Sequence, residues 1–136
     1  MSDQQEAIDA AARLLRHGDR SRAELEQRLV RRGIEPQALD DALEVLERVG
    51  VLDDSRTAEL RAGRLADRGY GDAYIRAELE RRRLPADRAL AALEPERDRA
   101  TRLVGERGGG AATATWLTRR GFGQEAVEMA IAAEPP

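Results

Sequence analysis

Three arginine pairs recur along this chain: Arg31-Arg32, Arg81-Arg82 and Arg119-Arg120, with Arg83 extending the middle pair to three. A guanidinium is a planar, permanently charged fork of N–H donors that matches a carboxylate or a phosphate in two-pronged fashion. All 23 basic residues are arginine and none is lysine. The chemistry open to such groups is recognition of an anion, not bond-making. A second reading stands beside it, because a cation at a helix C-terminus stabilises that helix by roughly 0.3–1 kcal/mol. A repeated unit would reproduce that effect at every copy.

Other reactive constellations are absent from the sequence or have simpler explanations. Without lysine, Gly108-Gly109-Gly110 cannot open a phosphate-binding loop of the G-x-x-x-x-G-K type, and it reads as a connector between helices. His17 is the only histidine and falls just before Gly18 at an expected helix end, where its charge complements the helix dipole. Asp53-Asp54 reads as a pair of acids at a helix N-terminus. There is no cysteine, which removes disulfides, thiolate metal sites and a thiol nucleophile together. The expectation is a protein that is not an enzyme, with no catalytic residue, metal or cofactor. Trp116 aligns with the polar Arg28 and Glu78, so it reads either as a solvent-facing interface anchor or as a local repacking of the last repeat. Tyr70 and Tyr74 flank the Gly69–Gly71 turn, and at least one of them is expected to pack across it.

The elements that must position these residues follow from an internal repeat. The segments 24–34 (ELEQRLVRRGI), 74–84 (YIRAELERRRL) and 113–122 (TATWLTRRGF) align on Ile34, Leu84 and Phe122. Leu29, Leu79 and Leu117 then coincide, as do Ala42, Ala92 and Ala130, and Leu43, Leu93 and Ile131. Backwards, Ala12, Ala62 and Ala100 match, followed by Leu15, Leu65 and Leu103. The chain therefore reads as one unit built three times, over residues 1–50, 51–93 and 94–136.

Each unit predicts three short helices, the first at about 4–16, 22–32 and 37–48. Apolar residues recur at i, i+3 and i+4, as in Leu39, Ala42, Leu43 and Leu46. Ser21 with Glu24 forms a capping box, Gly33 suits a helix C-terminus, and Pro36 suits a first turn. The second unit predicts helices from Asp53 to about Arg68, at 72–83, and from Pro85 to about Leu93. The third predicts helices from Pro95 to about Glu106, at 112–120 and at 124–132. No segment alternates as a strand would, so the fold class is all-α, three tandem three-helix repeats forming an elongated, curved rod.

Composition agrees with several small cores: hydrophobic residues are 41% and aromatics 3%. The net charge of −3 argues against a strong, autonomous nucleic-acid binder. Only 51–93 is basic, with nine arginines against eight acids. No run of 18 apolar residues and no secretory leader occur, which leads to the expectation of a cytoplasmic chain without a membrane span. Without an obvious exposed apolar stripe, a monomer is expected. Two other classes stay open: a helix-turn-helix-like DNA-binding protein, and a helical adaptor for some other protein.

The sequence resembles the family of the regulatory protein RecX, bacterial modulators of the recombinase RecA. Three segments carry the resemblance. They are Ser21-Arg22-Ala23-Glu24-Leu25 with Leu29 and Gly33; Gly50-Val51-Leu52-Asp53-Asp54 with Ala58, Gly69-Tyr70-Gly71, Ile75 and Leu79; and Leu117-Thr118-Arg119-Arg120-Gly121-Phe122. The resemblance implies three tandem three-helix repeats and no chemistry. It also implies binding to RecA and to the RecA–DNA filament, with suppression of ATPase and strand exchange. Some family members bind DNA, so weak direct DNA binding is a further implication, against which the acidic balance counts. The residues expected to meet the partner are Arg31, Arg32, Arg81, Arg82, Arg83, Arg119 and Arg120, with Trp116 as an apolar anchor.

Overall fold

The structure is a computed structural model, and it describes residues 3–133. Among them the regular structure is helical throughout: nine helices and no strand. Contacts divide the chain into two compact units, Met1–Thr57 with Arg82–Leu84, and Ala58–Arg81 with Pro85–Pro136.

The first unit holds α1 (Asp3–Arg16), α2 (Arg22–Arg31) and α3 (Pro36–Arg48). Ala7, Ala11 and Leu14 of α1 meet Leu25 and Leu29 of α2 and Leu39, Ala42, Leu43 and Leu46 of α3, with Leu52 closing the cluster. Each fully buried leucine contributes about 1.5–3 kcal/mol, so this small core rests on its leucines. The expected capping box is present: the Ser21 hydroxyl accepts from Glu24 N–H at 3.1 Å, and Ser21 N–H donates to Glu24 Oε1 at 3.0 Å. Pro36 opens α3, and Glu35 takes the N-cap, accepting from Gln37 and Ala38 N–H. Those two backbone donors hold the Glu35 carboxyl below its ordinary pKa.

Arg22 fastens this unit. Its guanidinium meets Glu26 at 3.1 Å and also pairs with Asp40 and Glu47 on α3. Burial disfavours its charge, but the Glu26 hydrogen bond and the Glu47 and Asp40 carboxylates outweigh that and raise its pKa. Its backbone N–H donates to Asp54 Oδ1 at 2.9 Å. Burial raises the Asp54 pKa against that hydrogen bond, and the Glu47 charge adds to the rise. Of the two acids at 53–54, Asp53 is the cap, accepting from Arg56 N–H.

The helix α4 (Asp54–Asp67) buries Ala58, Ala62 and Leu65 one turn apart. The second unit continues with α5 (Asp72–Arg81), α6 (Asp87–Ala91), α7 (Glu96–Arg107), α8 (Ala111–Arg119) and α9 (Gln124–Ala133). Ala100, Val104, Leu117, Phe122, Val127 and Ala130 form its C-terminal core, which confirms Phe122 as a core residue.

Two alignments fail in structure. In α1 the buried residues are Ala11 and Leu14, not Ala12 and Leu15, which are half-buried. The connection 17–21 after α1 is one residue longer than 68–71 after α4, so the pattern shifts by one. In the middle triplet α6 has five residues, and Ala92 is exposed although Ala42 and Ala130 are buried. Pro85 and Pro95 bracket that segment and disfavour helix at the residues before them, so burial falls on Ala86 and Ala89.

Candidate partner-binding site

The arginine pairs lie where three helices end, and the chain leaves two of those helices by one geometry. Ile34 N–H donates to Leu29 O at 3.2 Å, and Phe122 N–H donates to Leu117 O at 3.1 Å. Closing the last carbonyls this way needs a left-handed residue just past the end, supplied by Gly33 (φ 90°) and Gly121 (φ 94°). The aligned position in the middle triplet is Arg83, with φ 57°. It is the one non-glycine with positive φ among the described residues.

The site residues divide by what they already hold. Arg120 is engaged: its Nε donates to Gly69 O at 2.9 Å, and its Nη2 donates to Arg68 O. Its guanidinium carbon sits 4.0 Å from the Tyr70 ring centroid and 4.9 Å from that of Trp116. Tyr70 stacks on Tyr74, centroids 4.0 Å apart and planes 14° from parallel. Arg107 covers Trp116 at 3.8 Å. Trp116 is thus half-buried beside the core, in keeping with the second of its two readings, a local repacking of the last repeat: the indole is stacked with Arg107 and Arg120. Its alignment with the polar Arg28 and Glu78 carries no record of Arg107 and Arg120 closing over the ring.

The backbone around Arg120 is equally committed. Gly71 N–H donates to Arg120 O at 2.8 Å and Ala73 N–H to Gly121 O at 3.1 Å, so the 120–121 carbonyls cap the start of α5. A Cβ on Gly71 would lie 2.5 Å from Gly121 C, and one on Gly121 would lie 2.6 Å from Tyr74 N. The Gly69–Gly71 and Arg119–Phe122 motifs are therefore two halves of one close backbone contact.

Arg99, which sequence reasoning missed, locks the same region. It is 3% exposed, donates to Glu94 O at 2.9 Å and Tyr70 O at 3.0 Å, and pairs with Asp72. Glu96 accepts from Asp72 N–H at 2.6 Å and from Gly123 N–H at 3.1 Å. The signal was an arginine four residues before Leu103, on the apolar stripe of α7.

Arg82 reaches the capping-box carboxylate of Glu24 at 3.9 Å, and Arg81 pairs with Glu78 at 2.9 Å on its own helix. Arg31, Arg32, Arg83 and Arg119 are exposed and make no ion pair among the described residues. Arg32 borders an open hollow of about 230 Å³ together with Asp3, Glu6 and Glu35. The first unit thus holds Arg31, Arg32, Arg82 and Arg83, and the second holds Arg81, Arg119, Arg120 and Trp116. No cluster of three or more His, Asp or Glu side chains among the described residues could hold a metal ion. No described helix is long and apolar enough to cross a membrane.

Comparison with known proteins agrees with this architecture. Residues 7–46 match the family model described as RecX, first three-helix domain. The regulatory protein RecX of Xanthomonas oryzae pv. oryzae is 34% identical over 145 residues, covering 97% of this chain and 91% of that protein. The regulatory protein RecX of Halorhodospira halophila is 36% identical over 138 residues, covering 92% and 86%. The crystal structure of RecX from Lactobacillus salivarius superposes with a TM-score of 0.82 at 17% identity, over 96% of this chain and 95% of that one. An all-helical chain related along nearly its whole length to these proteins belongs to the RecX family of regulatory proteins.

Proposed function

We propose that this protein is a non-enzymatic, cytoplasmic, monomeric regulator that binds RecA and its DNA filament and inhibits their ATPase and recombinase activities. The observation that carries the reading is the whole-chain relationship to regulatory proteins named RecX, at 34% identity over 97% of the chain. The reading takes the chain as three units, 1–50, 51–93 and 94–136, each ending its second helix in arginine. Contacts repeated along a filament gain from effective concentration, so modest affinity per unit suffices. Arg31, Arg32, Arg83 and Arg119 supply the contacts, with Arg81 recruited from its pair with Glu78, since an exposed pair of that kind is worth about 0.2–1 kcal/mol. Arg82, Arg120 and Trp116 serve the contact indirectly, by holding its backbone in shape.

The test is the DNA-dependent ATPase rate of RecA filaments titrated with the folded protein. Suppression at substoichiometric protein is expected. An unchanged rate at excess protein, with salt-dependent retention of duplex DNA instead, would move the function to direct DNA binding.

A further inference from the structure

Arg83 stands on backbone that an arginine adopts only at a cost. Its φ of 57° is the left-handed conformation given to Gly33 and Gly121 at the matching positions. A Cβ there crowds the neighbouring carbonyl, which is why glycine is the default residue. Nothing within the described fold compensates: the Arg83 side chain is exposed and makes no ion pair, hydrogen bond or ring contact among the described residues. The residues on either side are held, Arg82 by Glu24 at 3.9 Å and Leu84 by burial to 4% exposure. The guanidinium is therefore presented from a pinned, strained segment, with little backbone freedom left to lose when it meets a partner. Local strain kept where the fold does not use it marks a functional position.

We propose that Arg83 is a specificity-determining contact for a carboxylate on an acidic protein surface. The inference deepens the filament-binding reading and rests on it for the partner's identity. A carboxylate is favoured over a phosphate backbone because the chain carries a net −3, a balance that counts against binding a polyanion along its length.

Arg83→Gly separates use from strain, because it removes the guanidinium and restores the residue the conformation prefers. The expected result is an unchanged or raised Tm with affinity for the RecA filament about tenfold weaker, the weight of one charge-assisted hydrogen bond. Arg83→Lys, which keeps the charge and loses the fork, should fall between parent and Gly variant. Equal affinity of parent and Arg83→Gly overturns the proposal, as does a lowered Tm, which would give Arg83 a role inside the fold. An equal loss of affinity for bare single-stranded DNA overturns the carboxylate assignment. If the parent ignores the filament, the filament reading falls by itself, and retention on poly-L-glutamate at low salt then decides. There, parent retained more strongly than Arg83→Gly supports the contact, and equal retention overturns it.

Discussion

The α1–α3 and α7–α9 triplets solve the same packing problem with different fasteners. In the first, Arg22 sits at the edge of the core and gathers Glu26, Asp40 and Glu47, all of which remain substantially exposed. In the second, Arg99 is buried and spends two of its donors on the carbonyls of Glu94 and Tyr70. The edge hub is charge against charge in reach of water, and salt screens it. The buried fork donates to backbone carbonyls from within the core, where salt screens it far less. The same contrast runs through the paired arginines. Arg31 and Arg32 project from the first triplet, whereas Arg120 of the third is folded over Tyr70 and tied to Gly69. An arginine pair repeated in sequence is thus not a pair repeated in role.

The comparison breaks most visibly at Arg99. Arg99→Ala removes a buried guanidinium, takes a donor from the Glu94 and Tyr70 carbonyls and leaves Asp72 without its cation, and it is expected to cost about 3 kcal/mol, read from urea unfolding. Next comes Gly71→Ala, whose methyl would collide with the Gly121 backbone. A loss of about 2 kcal/mol is expected, with no comparable loss for Gly33→Ala beyond its φ penalty, since nothing lies within 4 Å there. Arg22→Gln sharpens the contrast between fasteners. It should cost about 1 kcal/mol at low salt and much less at 1 M salt, while the Arg99→Ala deficit stays the same.

The smallest effect is an acid one, and it is confined to the first unit. Glu35 has a lowered folded pKa, so the folded state binds its proton less readily than the unfolded chain does. Its contribution is complete above the ordinary value of 4.5 and is lost as pH falls through the folded one. Glu35→Gln should therefore flatten the acid limb of the stability curve. Asp54 has a raised folded pKa and the opposite sign, since protonation relieves its burial as pH falls toward the ordinary 3.8. Asp54→Asn should make the acid limb steeper.

Much of this fold was legible because local signals agree with one another. The Ser21–Glu24 box, Pro36 and Gly33 mark ends that the structure places within a residue or two, and the leucine spacing of α3 identifies its buried face. What escaped was tertiary. One added residue between α1 and α2 slides Ala11 into the place assigned to Ala12, and flanking prolines cut α6 to five residues. The roles of Arg99, Arg120 and Trp116 depend on Gly69, Tyr70 and Gly71 arriving beside them from a distant part of the chain. Spacing within a single helix carries no record of that. Arg83 was legible in part: its departure from glycine showed in the repeat, and its strain shows only in the backbone.

The division of the arginines into fasteners and free forks is tested most directly by one double variant. Arg31→Glu with Arg32→Glu is predicted to leave the urea midpoint within about 0.5 kcal/mol of the parent, as surface changes away from packed contacts do. The same variant should require at least roughly tenfold more protein to suppress RecA ATPase, the loss expected for two charge-assisted contacts. Suppression at the parent's concentration by a variant that remains folded would contradict the account.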